Sequence, residues 1–233
     1  MRRKIMMLLL LSLIFVSSVW AFSWAIGAEA GYTMGFYDQR GGERATRHFE
    51  LGHAFELAVP VEYRVNDWFS ISSGLRYIGK PYNYITKVDT DIFEFYRARN
   101  VNHYLEIPLS LRFSIGNERI RSYLGVGLYI GARFMEIESG HVQLSGFLTR
   151  PEDNNDFWET VELDSRYDNL FDSGFLAEAG VAYSFDESGE LYLSARYQYS
   201  FTSLDKKVAE DVFRYIDTLS IDVGYMFRLG GDV

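Results

Sequence analysis

Strict two-residue alternation limits this chain more than any other feature. Residues 103–113 show it best. One row reads His103, Leu105, Ile107, Leu109, Leu111, Phe113, and the other reads Tyr104, Glu106, Pro108, Ser110, Arg112. Successive strand side chains point to opposite faces, so such a segment has one apolar face and one polar face. Eight segments repeat the pattern, at about residues 23–36, 52–65, 68–79, 103–113, 121–134, 171–185, 191–201 and 215–228. No stretch after the first residues is long and apolar enough for a transmembrane helix.

The two rows differ in charge. The row rich in Leu, Ile, Val and aromatics carries one acid, Asp217, and no Lys or Arg. The opposite row carries Glu29, Glu56, Glu62, Glu106, Glu178, Asp222, Arg64, Arg76, Arg112, Arg133, Arg196 and Arg228. A soluble β-barrel puts apolar residues inside and polar ones outside. Here the charges keep to one face and the other suits lipid, where an arginine at the bilayer midplane costs about 2–4 kcal/mol. Backbone groups in lipid must pair among themselves, which a closed barrel achieves. The prediction is an all-β fold: an eight-stranded antiparallel up-and-down transmembrane β-barrel.

The connections support it. Residues 66–67, 114–120 and 186–190 are short, whereas 37–51, 80–102, 135–170 and 202–214 are long. Short periplasmic turns on one side and long extracellular loops on the other is the outer-membrane layout. Trp24, Tyr63, Trp68, Phe69, Phe113, Phe185, Tyr225 and Phe227 fall near the short-turn end. Tyr32, Phe36, Tyr77, Phe134, Phe171, Phe201 and Tyr215 fall near the long-loop end, and the two sets read as interfacial girdles. Pro60 and Pro108 lack the donor that a ladder needs, so a bulge is expected at each.

The first residues read as an export signal. Met1-Arg2-Arg3-Lys4 is basic, residues 5–16 are apolar, and Val19 and Ala21 suit the −3 and −1 sites. Cleavage after Ala21 is expected, leaving residues 22–233 as one barrel domain. The chain has no cysteine, which excludes disulfides and a lipidated N-terminal cysteine. Its net charge of −9 argues against a nucleic-acid partner.

The run Tyr104-Leu105-Glu106-Ile107-Pro108-Leu109, followed by Tyr123-Leu124-Gly125-Val126-Gly127, resembles the outer-membrane-protein β-barrel domain family of PorT-like proteins. That family is similar in layout to the small OmpA/OmpX barrels. The resemblance covers about residues 22–228 and implies a bacterial outer membrane, lipid neighbours and insertion by the barrel-assembly machinery. It implies location more than activity. Such barrels often end on an aromatic insertion signal, whereas Phe227 here is followed by six more residues.

The sequence supplies no catalytic, cofactor-binding or metal-ligating set. The twelve inward charges form six acids and six bases, and a bore of eight strands is only wide enough for side chains to fill. Arginine–glutamate pairs plugging the lumen are expected, with a narrow ion path as the alternative; a wide porin needs about 16 strands. His53 and His103 lie on outward rows near the outer rim, the right face for lipid chemistry, but no His-x-Ser pair or other motif names a nucleophile. The chain is therefore expected not to be an enzyme. Residues 135–170 hold nine acids against Arg150 and Arg166 but lack the calcium-loop pattern. Tyr82, Tyr84, Ile92, Phe93, Phe95 and Tyr96 make the second loop aromatic, for an extracellular protein partner or as a cover over the mouth.

Overall fold

The computed structural model describes residues 23–40, 47–86, 93–117, 119–144, 155–186, 189–206 and 213–229. The expected signal segment, residues 1–21, lies outside them. Among the described residues there are ten strands: β1 (Ser23–Arg40), β2 (Arg47–Glu50), β3 (Gly52–Asn66), β4 (Phe69–Thr86), β5 (Phe93–Gly116), β6 (Ile120–Leu144), β7 (Asn155–Val161), β8 (Phe171–Asp186), β9 (Gly189–Ser200) and β10 (Phe213–Leu229). Eight close into a ring. β1 pairs with β3, β3 with β4, β4 with β5, β5 with β6, β6 with β8, β8 with β9, β9 with β10, and β10 with β1, all antiparallel. β2 and β7 extend the loop end of the wall by pairing with β4 and β6. Closure leaves no sheet edge in the bilayer.

The alternation becomes inside and outside as expected. Along β5, Leu105, Ile107, Leu109, Leu111 and Phe113 are exposed while Glu106, Ser110 and Arg112 are buried. Elsewhere an outward apolar residue is a fault, but a lipid-facing wall is solvated by the membrane. The one outward acid is satisfied: the Tyr197 hydroxyl donates to Asp217 at 3.0 Å and so does the Ser200 amide. At the short-turn end Trp24 lies tilted against Tyr63, and Trp68, Phe69 and Phe113 form a cluster, the first girdle.

The strands run further than the apolar rows suggest. β5 and β6 have 24 and 25 residues, whereas about 9–11 suffice to cross a bilayer. Most of residues 80–102 is thus strand, not loop. Above the membrane both strand faces meet water, so the apolar row stops while backbone pairing continues. Phe134 is an extra residue in β6 between the pairs His103–Met135 and Tyr104–Arg133. This bulge shifts the phase, turning Glu136 and Glu138 to the side that Arg133 occupies.

The expected proline bulges do not form. Register passes unbroken through Pro60–Gly74 and Pro108–Tyr129. The missing N–H instead interrupts the ladder on the opposite side of each strand. β1–β3 pairing jumps from Ile26–Val61 to Glu29–Ala58, and β4–β5 pairing from Ser73–Leu109 to Arg76–Glu106. Gly74, at φ +150°, sits between the two prolines, and its missing side chain lets the backbone of β3 approach. A cavity of about 20 Å³ opens there onto Arg76, Arg112 and Arg196, room for one water.

Candidate functional site

The bore is the most organised polar region. Starting near the loop end, Asp172 pairs with Lys80 at 2.6 Å and Lys80 with Glu106 at 2.8 Å. Glu106 meets Arg76 at 2.9 Å, and Arg76 lies 3.7 Å from Glu56. Glu56 pairs with Arg196 at 2.8 Å, and Arg196 also reaches Glu29, Asp222 and Glu178 at 3.1, 3.2 and 3.7 Å. Arg112 joins Glu178 to Glu62 at 2.7 and 3.0 Å. Glu62 continues to Arg64 at 3.2 Å and Arg64 to Glu190 at 3.4 Å, where Arg121 and Arg228 close the short-turn end.

Neutral partners fill in around the charges. Lys80 Nζ lies 4.3 Å from the ring centre of Tyr129, and the Arg112 guanidinium lies 4.9 Å from that of Tyr123. Tyr192 donates to Glu29, Ser110 to Glu178 and Gln198 to Glu106. Full pairing is what burial demands, because an isolated charge in a low-dielectric interior is far too costly. Three inward tyrosines face glycines directly across the ladder: Tyr123 on Gly180, Tyr129 on Gly174 and Tyr192 on Gly224. Each glycine makes room for a ring that lies across the bore.

Of the twelve inward charges, all but Arg133 belong to this chain of pairs. Arg133 stands at the loop-end mouth, paired with Glu136 and 3.7 Å from Asp168, and donates to the Leu204 carbonyl. Sequence reasoning missed Lys80, Asp172, Glu190 and Arg121. Their parity was available, since Lys80 continues the row of Arg76, and Asp172 that of Glu178. Glu29, Glu56 and Asp222 bring carboxylate oxygens within 4.8 Å of one another, a set that could hold a cation. Arg196 reaches all three and supplies that positive charge itself.

The mouth is covered. Leu204 is buried and linked by backbone bonds to Asn169 and Arg214, and Lys206 bonds to Tyr167. Tyr82 stacks on Tyr84 and lies 4.9 Å from Tyr37, while the Tyr84 hydroxyl donates to Glu138. These two aromatics belong to β4, paired with Asn100 and Ala98 of β5 where the strands continue beyond the apolar row. Ile92 and the side chains of Phe93, Phe95 and Tyr96 lie outside the described residues, as do residues 151–154 of the acidic loop and the side chain of His48. His53 and His103 take up outward positions beside Tyr32 and Tyr77, and His141 bonds to Asp156.

A closed ring with an apolar exterior, two aromatic girdles and a charge-filled bore defines a small transmembrane β-barrel of the bacterial outer membrane. The chain belongs to the outer membrane protein β-barrel domain family, whose model matches residues 20–206. No match is found among curated proteins. Solved structures similar in fold include Neisserial surface protein A, with 15% identity over 88% of this chain and 97% of that one and a TM-score of 0.44. OprG from Pseudomonas aeruginosa has 10% identity, 91% and 99% coverage and a TM-score of 0.46. Ail, the attachment invasion locus protein of Yersinia pestis, has 12% identity, 88% and 98% coverage and a TM-score of 0.40.

Proposed function

We propose that this chain is a non-conducting outer-membrane anchor whose loop-end surface binds a protein partner outside the cell. The unbroken succession of ion pairs from Asp172 to Arg228 carries this reading, because it fills the bore with side chains that hold one another. What remains available for work is the extension above the membrane. The β6–β7 hairpin presents Trp158, 69% exposed, among Asp156, Glu159 and Glu162. A rigid tryptophan on a paired hairpin, ringed by acids, suits a partner with an apolar pocket and a basic rim. Sequence reasoning named the acids and passed over Trp158. The reading is non-catalytic: both outward histidines are engaged by tyrosines. Insertion by the barrel-assembly machinery belongs to the same proposal.

A narrow path for water or small ions is the second reading. Asn102 is buried with neither amide atom hydrogen-bonded, and Asp222 Oδ1 is also without a partner. Water in the bore would satisfy both. Planar-bilayer recording separates the readings. Folded wild-type protein giving no current supports the anchor, and stepwise current establishes the path instead. Cells displaying Trp158→Ala should then lose adhesion to host matrix or neighbouring cells while keeping wild-type barrel levels. Adhesion unchanged by this substitution removes Trp158 from the binding surface.

A further inference from the structure

The bore ends differently at its two mouths. At the loop end Leu204 is buried, and its carbonyl accepts from Arg133. At the short-turn end the bore charges stay wet. The side chains of Arg64, Arg121 and Arg228 are 14, 15 and 23% exposed, whereas Arg76, Arg112 and Arg196 are buried. β3 and β10, which carry Arg64 and Arg228, flank β1, and β6, which carries Arg121, lies across the bore from them.

The three guanidiniums converge on one carboxylate. Glu190 of β9 meets Arg64 at 3.4 Å, Arg121 at 2.5 Å and Arg228 at 3.4 Å. Glu190 is itself buried, so the guanidiniums and not the carboxylate meet the periplasm. Their side-chain hydrogen bonds among the described residues all leave from Nη2: Arg64 to Glu62 and Glu190, Arg121 to Glu190, and Arg228 to Ser184 and Glu190. The Nε atoms of Arg64 and Arg228 are sealed from water and take no part. None of the three Nη1 groups is a buried atom without a partner, so water reaches them.

Charge is unbalanced at this mouth. Arg112 shares Glu62 with Arg64 and holds Glu178, so four guanidiniums meet three carboxylates. Deeper in the bore the sign reverses. Glu29, Glu56, Glu106, Asp172 and Asp222 face Arg76, Lys80 and Arg196. Positive charge therefore collects where the bore is open. Asp67 and Arg119, exposed on the turns outside, are opposite in sign and leave the excess as it is. Wet guanidinium donors with no free acceptor among them suit an oxyanion. Phosphate offers an oxygen to each arginine, and a phosphate monoester carries about −1.5 to −2 charges near neutrality.

We infer that the short-turn mouth, through Arg64, Arg121 and Arg228, binds a phosphate group from the periplasm, free or carried by a small solute. The site does not depend on the anchor reading, because it uses the mouth and leaves the bore closed. The full barrel in nonionic detergent is titrated with inorganic phosphate, glucose 6-phosphate or acetate at fixed ionic strength, and heat is recorded. Phosphate should bind saturably, about tenfold more weakly in Arg121→Gln and in Arg228→Gln, and as in the wild type in Arg97→Gln. Tighter binding of glucose 6-phosphate than of phosphate assigns the site to esters, and weaker binding assigns it to the free ion. The absence of saturable phosphate binding overturns the site, as does unchanged affinity in either variant with folded mobility in SDS. Acetate binding as tightly as phosphate gives the mouth to carboxylates and overturns the phosphate assignment. If both variants fail to fold, arginine modification of the wild-type barrel by phenylglyoxal, mapped by mass spectrometry, decides. Phosphate should slow it at Arg121 and Arg228 but not at Arg166; equal rates with and without phosphate at the first two count against the site.

Discussion

Arg112 and Glu178 meet side-on in the bore, Nε to Oε1 at 2.7 Å and Nη2 to Oε2 at 3.0 Å. Two parallel charge-assisted bonds fix both planes, and Arg112 spends its remaining nitrogen on Glu62 at 3.0 Å. Replacing Arg112 by Ala leaves two buried carboxylates with weakened partners. A loss of about 3–5 kcal/mol is expected. The double change Arg112→Met with Glu178→Leu should cost much less, because no charge is stranded. Reversible urea unfolding from phospholipid vesicles measures both. A double variant as unstable as the single one would show that the pair contributes more than mutual neutralisation.

The lipid-facing row makes a separate prediction. Leu109 lies mid-wall and half exposed, flanked by Ile107 and Leu111 on the same face. Leu109→Arg should cost about 2–4 kcal/mol, whereas Ile115→Arg, near the short-turn rim, should cost about 0–1 kcal/mol. The same urea titration reads both. Equal costs at the two depths would contradict the assignment of this face to the bilayer.

Tyrosine–glycine pairing gives a third. A methyl at Gly224 would lie 2.4 Å from the Tyr192 ring, whose hydroxyl is held by Glu29 at 2.7 Å. The ring cannot swing aside without breaking that bond. Gly224→Ala should destabilise by about 1–3 kcal/mol through overpacking. Tyr192→Ala in the same chain should remove the clash, so the two penalties should sum to more than the double variant loses. Strict additivity would mean that the backbone, not the ring, resists the methyl.

Much of this was legible in the sequence because period two survives wherever one face meets lipid. Glu106 and Arg112 could be placed inside from Leu105, Ile107 and Leu111 alone. Lys80 was lost because the apolar row ends near Tyr77 while β4 continues to Thr86. Pro60 and Pro108 misled because a missing donor can be absorbed by one interrupted ladder in place of a bulge. The Arg133 contacts depend on a bulge at Phe134 and on Leu204 from a distant connection. Loops have no period, so that closure leaves no trace in the pattern. The Tyr–His contacts needed the register, which alternation does not specify.

The covered mouth should respond to pH through Asp205. Its carboxylate pairs with Arg214 at 3.3 Å and its backbone bridges to Asp168. Burial pushes the Asp205 carboxyl above its usual value, more than Arg214 and Arg133 draw it down. A raised carboxylate pKa means that the folded mouth takes up a proton before the open chain does. The mouth should therefore gain stability as pH falls through the folded value, until the unfolded value of about 3.9 is reached. Asp164 works in the other sense, because its hydrogen bonds to Arg166 hold it low. Its contribution is present above the unfolded value and fades only below it, so the two windows do not overlap. Hydrogen-exchange protection at the amides of Leu204 and Asn169, corrected for intrinsic rate, should rise as pH falls from neutrality towards the unfolded value of about 3.9. Asp205→Asn should flatten that rise while leaving the barrel amides unchanged. Protection that falls over this range, or the same slope in the Asn variant, would exclude Asp205 as the titrating group.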